Sequence, residues 1–180
     1  MSYEHGNGHF KIYDEQELLK REEQELLRLY IGKNADYYLR KWSKKTAPGT
    51  ALSWNMAAFL FSALWVGYRQ MYAYLVMLVG ALLSADLIYI FVLKMEPDVR
   101  ITILISCLMG AFGNALYYRF VQNKILQLKA QDLEFEEMKR RAATAGGPNW
   151  RGILATVLLF FLYNIALGYF TSLFAGQVLV

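Results

Sequence analysis

The sequence predicts an all-α integral membrane protein with about three transmembrane helices, a re-entrant or interfacial helical segment, and cytosolic amphipathic helices. Of the 180 residues 56% are hydrophobic, and most charged residues fall in two blocks, Met1–Lys45 and Arg119–Arg151. About 20 apolar helical residues cross the roughly 30 Å hydrocarbon core of a bilayer. Four apolar segments suit this purpose, with Asp86 as their only charged residue: Thr50–Tyr68, Gln70–Leu93, Ile101–Tyr118 and Gly152–Val180.

Residues 1–49 are predicted to form a cytosolic N-terminal region with one amphipathic helix. Within Asp14–Tyr30, apolar residues recur at helical spacing between charged ones; they are Leu18, Leu19, Leu26, Leu27 and Tyr30. This pattern is typical of a helix that lies on its own protein or on lipid headgroups. A helix dedicated to binding a partner is the alternative interpretation.

The first apolar segment, Thr50–Tyr68, decides the topology. If it enters and leaves the membrane on one face, seventeen of the nineteen Lys and Arg residues lie inside, and only Lys94 and Arg100 lie outside. If it spans the membrane, eleven lie inside and eight outside. The positive-inside rule therefore favours three spans, a re-entrant or interfacial first segment and a cytosolic N-terminus. Four spans remain the alternative.

Residues 50–180 are predicted to form the membrane domain, with a cytosolic helix at 119–145 between the last two spans. Apolar residues continue at helical spacing into this helix, and Gly146, Gly147 and Pro148 then end it. Aromatic and basic side chains near the ends of the apolar segments are expected to anchor the chain among the headgroups. These interfacial anchors are Trp54, Arg69, Tyr72, Trp150 and Arg151.

Three polar side chains fall at compatible depths in the predicted spans. Asp86 and Asn164 lie sixteen and thirteen residues from the expected cytosolic edge, at about 1.5 Å per residue. Ser106, on the antiparallel third segment, reaches a similar level. A carboxyl, an amide and a hydroxyl can satisfy one another between helices, so we expect an intramembrane network of these three residues. The alternative places Asp86 near the outer leaflet, in reach of water.

Small residues recur four positions apart in the last apolar segment, at Gly168, Ser172 and Gly176. Such ridges allow the backbones of membrane helices to approach closely. This ridge is therefore a predicted helix-packing surface, within the chain or between copies.

Two stretches carry more specific sequence patterns. The first is Tyr30–Trp42, and the second runs through Trp54, Asn55, Trp65 and Arg69 to Tyr72. Together they resemble a family of small bacterial membrane proteins known as domain of unknown function 2628. The residues that match its motifs are Gly32, Lys33, Asn34, Tyr37, Tyr38, Asn55, Asn114 and Tyr117. Gln70 stands where lysine is usual. The resemblance implies a bacterial inner-membrane protein and brings no known activity.

Several classes of function find no support in the sequence. A single cysteine, Cys107, excludes intramolecular disulfides and a cysteine-based zinc site, while His5 and His9 lack further ligands. We assign no metal and no cofactor. The net charge of +4 comes from residues that flank apolar segments, so lipid headgroups, not nucleic acid, are the expected partner.

The leading prediction is a non-enzymatic membrane subunit or scaffold that binds and organises a partner membrane protein. No phosphate-binding glycine loop, nucleophile elbow or catalytic histidine and carboxylate pair occurs in the sequence. The alternative is a small oligomeric transporter or channel with Asp86 in a polar pathway. The expected partners are the lipid bilayer and either a membrane protein or further copies of the chain.

Overall fold

The computed structural model describes residues 15–43, 53–95 and 98–178, and these residues form helices and short connections with no strand. The N-terminal tail with His5 and His9 lies outside the described residues. In chain order the helices are α1 Glu15–Ile31, α2 Ala35–Ser43, α3 Met56–Tyr68, α4 Tyr72–Leu87, α5 Val99–Lys129, α6 Phe135–Ala145 and α7 Trp150–Val178.

Three helices are long and apolar enough to cross a membrane: α5, α7, and α4 together with the π-helical turn Ile88–Val92 that extends it. α4 and α7 run in the same direction, because Asp86 bonds Tyr163 and, further along both helices, Phe91 packs against Phe170. α5 runs the opposite way after a short connection. The predicted fold class is confirmed: the described chain is all helical, with three candidate spans and one shorter apolar helix.

α3 is a short apolar hairpin whose two legs meet at Ser62. This residue has φ 37° and ψ −107°, which interrupts the helix in its middle. The entry leg runs against α5: the Asn55 N–H donates to the Gly110 carbonyl at 2.7 Å, and the Ser62 and Ser106 hydroxyl oxygens lie 3.2 Å apart. Ser106 precedes Gly110 by four residues, so the tip lies about 6 Å nearer the start of α5, away from the end where the hairpin enters.

The return leg brings the chain back to the end of the bundle where it entered. The Trp65 ring lies 6.0 Å from the Tyr117 ring of α5. The backbone then turns through Gln70, whose φ is 59°, into α4. The Tyr68 carbonyl accepts a hydrogen bond from the Asn149 N–H, just before α7 begins. α3 thus enters and leaves at one end, as in the three-span arrangement.

Small side chains let the hairpin approach its neighbours closely. A Cβ at Gly113 of α5 would lie 2.8 Å from the Ala58 Cβ of the entry leg. A Cβ at Gly152 of α7 would overlap the Gly67 carbonyl of the return leg, and one at Gly67 would overlap the Thr156 hydroxyl. The hairpin is therefore held between α5 and α7 at a separation that larger residues would not permit.

α1, α2 and α6 pack together at the end where the hairpin enters, and we call these three helices the cap. α1 is the predicted amphipathic helix, and its apolar stripe with Leu26, Leu27 and Ile31 is buried. Leu18 and Leu19, about two turns before that stripe, are 44% and 56% exposed. The cap therefore covers the bundle with one half of α1 and leaves apolar side chains of the other half uncovered.

The predicted single helix at 119–145 is two helices. α5 continues to Lys129, and the chain then reverses at a turn in which Asp132 has φ 50°. α6 returns onto α1, burying Ala142, and the Lys139 ammonium lies 3.5 Å from the Glu25 carboxylate. The reversal has a simple cause, since one straight helix would carry this apolar face away from α1 and into water.

α7 is the least buried of the three spans. Among its described side chains, only Gly152 and Thr156 are fully buried, both near the cap. Gly168 and Ser172 are exposed, and nothing lies within 4 Å of a Cβ built at Gly168. Gly176 belongs to α7, but its surroundings lie outside the described side chains. The packing role of this ridge stays a prediction.

Candidate functional site

The cap meets the hairpin and α5 in a cluster of polar and aromatic side chains, which we call the joint. α2 contributes Tyr38 and Trp42, the hairpin contributes Asn55 and Arg69 with Trp65, and α5 contributes Asn114 and Tyr117. All of these side chains are buried. Residues that are far apart in the sequence therefore form one continuous contact between the cap and the membrane helices.

Two asparagines hold the base of the hairpin. Asn55 Nδ2 donates to Asn114 Oδ1 at 2.9 Å, and Asn55 Oδ1 caps α3 by accepting from the Ala58 N–H at 3.0 Å. Asn114 Nδ2 donates to the Ser53 carbonyl and hydroxyl at 3.1 and 2.9 Å. The Asn114 carbonyl accepts from Trp42 Nε1 at 3.1 Å. Both amides are thus satisfied inside the protein, as buried polar groups require.

Arg69 lies beneath aromatic rings and is only 4% exposed. Its guanidinium carbon is 4.7 Å from the Tyr38 ring centroid and 5.0 Å from that of Tyr117. Arg69 is not the exposed headgroup anchor that the sequence predicts, because the return leg carries it under α2, where two rings replace water around the cation. Of the other predicted anchors Trp54, Tyr72, Trp150 and Arg151 are exposed, and their headgroup role stays a prediction.

Tyr117 is the centre of the aromatic cluster. Its ring centroid lies 4.7 Å from that of Tyr38 and 5.9 Å from that of Trp42 on one side, and 6.0 Å from that of Trp65 on the other. Edge-to-face pairs contribute about 0.5–1.5 kcal/mol each beyond the area they bury. Tyr117 therefore connects α2 to the return leg through α5.

A second contact locks the cap to the turn between α3 and α4. Gln70 Nε2 donates to the carbonyls of Gly146 and Gly147 at 3.2 and 3.1 Å, and the Gly147 N–H donates to the Tyr30 carbonyl at 2.7 Å. A lysine ammonium could donate to the same carbonyls. The position thus requires a hydrogen-bond donor, which explains how Gln70 can stand where lysine is usual.

Tyr30 is buried where α1 meets this second contact, and burial raises the pKa of its phenol to about 12. Gly32 follows α1 with φ 72°, a conformation that glycine adopts without strain. Lys33, Asn34 and Tyr37 are exposed around the joint. The motif-like residues therefore divide into a buried set that forms the joint and an exposed set at its edge.

The predicted network of Asp86, Ser106 and Asn164 does not form. Asp86 accepts a hydrogen bond from the Tyr163 hydroxyl, Ser106 pairs with Ser62 of the hairpin, and Asn164 Nδ2 donates to a carbonyl of its own helix at 2.7 Å. Adjacent helical residues point about 100° apart, so Tyr163 faces α4 while Asn164 faces outward. The prediction rested on the depth of each residue along its helix, and depth does not determine the direction in which a side chain points.

Sequence reasoning missed Tyr163 and the pairing role of Ser62, and it named Trp65 only as part of a family-like stretch, without a role in the site. Tyr163 had a usable signal, because it lies at the depth of Asp86 and carries a donor that a buried carboxylate needs. Ser62 had none, since no glycine or proline marks the bend. Among the described residues, no group of three or more His, Cys, Asp or Glu side chains could hold a metal ion.

Comparison with known proteins yields one finding. No curated protein and no solved structure matches the chain. A family model described as protein of unknown function (DUF2628) matches residues 18–123, which run from α1 into α5 and include all of the joint. Because this match covers more than half of the 180 residues, the chain belongs to the DUF2628 family.

Proposed function

We propose that this protein is a small, non-enzymatic accessory subunit of the bacterial inner membrane that binds and organises a partner membrane protein. In this proposal the hairpin and α5 hold the cap at the cytosolic face, and the cap presents its uncovered surface to the partner. The observation that carries the proposal is the joint, whose motif-like polar groups bond to one another and to the backbone.

The joint favours a fixed cap over a swinging one. Two separate contacts connect cap and membrane helices, one from Trp42 to the Asn114 carbonyl and one from Gln70 to the Gly146 and Gly147 carbonyls. Ion pairs such as Lys129 with Glu23, at 3.4 Å, add weaker links along α1. A cap that cannot rotate presents its surface in a defined orientation, which is what an organising subunit needs.

The sidedness follows from charge. The cap lies at the end that carries most of the described basic residues, whereas Lys94, before α5, and Arg100, in the first turn of α5, lie at the opposite end. The positive-inside rule therefore supports a cytosolic cap and N-terminus. The exposed Leu18 and Leu19 of α1 are the contact that we assign to the partner.

Site-specific photo-crosslinking tests the proposal. A photoreactive residue at Leu19 should crosslink to one membrane protein that also co-purifies in stoichiometric amount, while the same probe at the exposed Lys124 of α5 should not. The Leu19 crosslink should weaken when Asn114→Leu loosens the joint. Equal crosslinking from both positions, or crosslinking to lipid alone, would contradict the scaffold.

The transporter alternative keeps one supporting observation. Asp86 is 7% exposed between α4 and α7, and an acid inside a membrane span is a functional candidate by default. In that case purified oligomers in liposomes should conduct ions or protons, and Asp86→Asn should abolish the flux while thermal stability stays normal. Flux that is absent in the wild type would exclude this alternative.

A further inference from the structure

A groove of about 720 Å³ opens beside the joint, between α2, the hairpin and the start of α7. Its volume falls within the roughly 300–1,000 Å³ of small-molecule sites. Apolar side chains such as Phe61, Leu64 and Ile153 form much of its wall, and Asn34 and Arg69 contribute polar groups. An apolar wall with a few polar groups is typical of a binding site for an amphiphile.

Arg69 and Trp65 line the groove, and each carries a buried N–H donor, Nε and Nε1 respectively, that has no acceptor among the described residues. The Arg69 Nη1 bond to the Ile31 carbonyl, at 3.5 Å, is at the limit of hydrogen-bond distance. Unsatisfied buried donors are rare in folded proteins. Their occurrence together on one wall indicates the position of an acceptor that a ligand would supply.

The Arg69 charge also has no counter-charge among the described residues. No carboxylate of the described residues forms an ion pair with it, and the connection between α2 and α3, residues 44–52, contains no acidic residue. The rings of Tyr38 and Tyr117 offset part of its desolvation. A buried cation is stabilised far better by a hydrogen-bonded anion.

We propose that the groove binds an anionic phospholipid, with the phosphate at Arg69 and Trp65 and an acyl chain along the hairpin. The apolar part of the wall carries Met56 and Phe61, each 57% exposed, so the groove is open towards the tip of the hairpin. A free phosphate would occupy the polar end and leave this length of wall unused. The site does not depend on the scaffold function proposed above.

Thermal unfolding of the full chain in a mild neutral detergent tests the site with three probes. Phosphatidylglycerol should raise the melting temperature by about 4 °C or more, because a ligand that binds the folded state stabilises it. Phosphatidylcholine, which has no net negative charge, should have little effect. Inorganic phosphate should also have little effect, since it cannot occupy the apolar wall.

Variants locate the bound lipid. Arg69→Gln should weaken phosphatidylglycerol binding by at least about tenfold in native mass spectrometry, since it removes the buried cation. Trp65→Phe should weaken it less, because only one donor is lost. Ala57→Trp should block the groove and leave both donors in place. Arg119→Gln is the matched control: it removes an exposed charge of α5 and should not change binding.

Several results would overturn the proposal. Equal binding of phosphatidylcholine, or an unchanged affinity in both Arg69→Gln and Ala57→Trp, would show that the groove holds no anionic lipid. If Arg69→Gln does not fold, Ala57→Trp decides alone. A full thermal shift with inorganic phosphate would indicate a site for a free anion instead. A stoichiometric protein crosslinked to a probe at Phe61 would show that a partner helix occupies the groove.

Discussion

The joint and the contact between α4 and α7 each bury one charged residue, but they stabilise it differently. Arg69 lies between two aromatic rings, in a region where α2, α3 and α5 all contribute buried side chains. Among the described residues Asp86 has a single hydrogen-bond partner, the Tyr163 hydroxyl, and α7 buries little around it. Packing is therefore dense where the cap meets the hairpin and sparse towards the opposite end.

The difference between these two regions predicts how many helices a substitution in each region should affect. At the joint, one substitution affects the cap, the hairpin and α5 together, because each side chain contacts several elements. Near Asp86, a substitution affects two helices. Matched substitutions in the two regions, ordered by expected effect, test this contrast.

The largest effect is expected from Gly152→Ala compared with Gly168→Ala, the same change on the same helix. At Gly152 the new methyl group overlaps the Gly67 carbonyl, and we expect a loss of about 3 kcal/mol or failure to assemble. At Gly168 nothing lies within 4 Å, so stability should change by less than about 1 kcal/mol. Thermal unfolding in detergent measures both. A larger effect at Gly168 would indicate that this position packs against another subunit.

Asn114→Leu compared with Asn164→Leu comes next. Loss of the Asn114 amide leaves the Asn55 Nδ2 donor unpaired in the interior, which we expect to cost about 2 kcal/mol. Asn164 is exposed and bonds only a carbonyl of its own helix, so its replacement should be neutral or slightly stabilising. Limited proteolysis should also cut the cap of Asn114→Leu faster. Equal stability of the two variants would show that the hydrogen bond between Asn55 and Asn114 does not stabilise the protein.

Asp86→Leu should lower stability by about 1 kcal/mol, because hydrogen bonds between membrane helices are individually weak. Asp86→Asn should retain a bond to Tyr163 and stay close to the wild type. Tyr163→Phe should resemble Asp86→Leu, and the double variant should be no less stable than either single one. Fully additive losses in this cycle would show that the two side chains do not interact.

Ser62→Gly should stabilise the hairpin by about 0.5 kcal/mol, the net of relieved strain and a lost hydroxyl. Glycine adopts a positive φ without the steric cost that a side chain carries. Ser62→Ala loses the same bond to Ser106 and keeps the strain, so it should be the less stable of the two. The reverse order of their melting temperatures would indicate that the bend is not strained.

The last prediction concerns the pH dependence of stability. The Tyr30 phenol has its pKa raised from 10.0 to about 12 by burial, so its contribution to stability is complete below pH 10. As pH rises from 10 to 12, the unfolded state loses this proton first and stability falls. Tyr30→Phe should show a shallower fall over the same range. Identical pH profiles would mean that Tyr30 titrates equally in the folded and unfolded states.

The fold class could be predicted because it depends on the lengths of the apolar segments and on the positions of the basic residues, which can be read directly from the sequence. The charge asymmetry also predicted that Thr50–Tyr68 returns to the side where it enters. It could not place the bend, which lies at Ser62. Nothing about the Ser62 side chain signals a positive φ.

The candidate site was only partly predictable for a different reason. The motif-like residues Tyr38, Asn55, Asn114 and Tyr117 could be named from the sequence, but their meeting depends on contacts between distant segments. In the sequence Arg69 stands between Tyr68 and Tyr72, and this local pattern does not distinguish an arginine at the headgroup surface from one buried under α2. Its burial depends on Tyr38 folding back over it, which local patterning does not encode.

The central claim, that the hairpin enters and leaves at the end where the cap lies, is tested most directly by cysteine accessibility. Lys33→Cys in the cap and Met95→Cys at the opposite end, each in a Cys107→Ser background, place one exposed thiol on either side of the hairpin and α4. With a re-entrant hairpin, an impermeant thiol reagent should label Met95→Cys in intact cells and Lys33→Cys only after permeabilisation. Labelling of both positions from the same side would mean that α3 crosses the membrane, which would contradict the account.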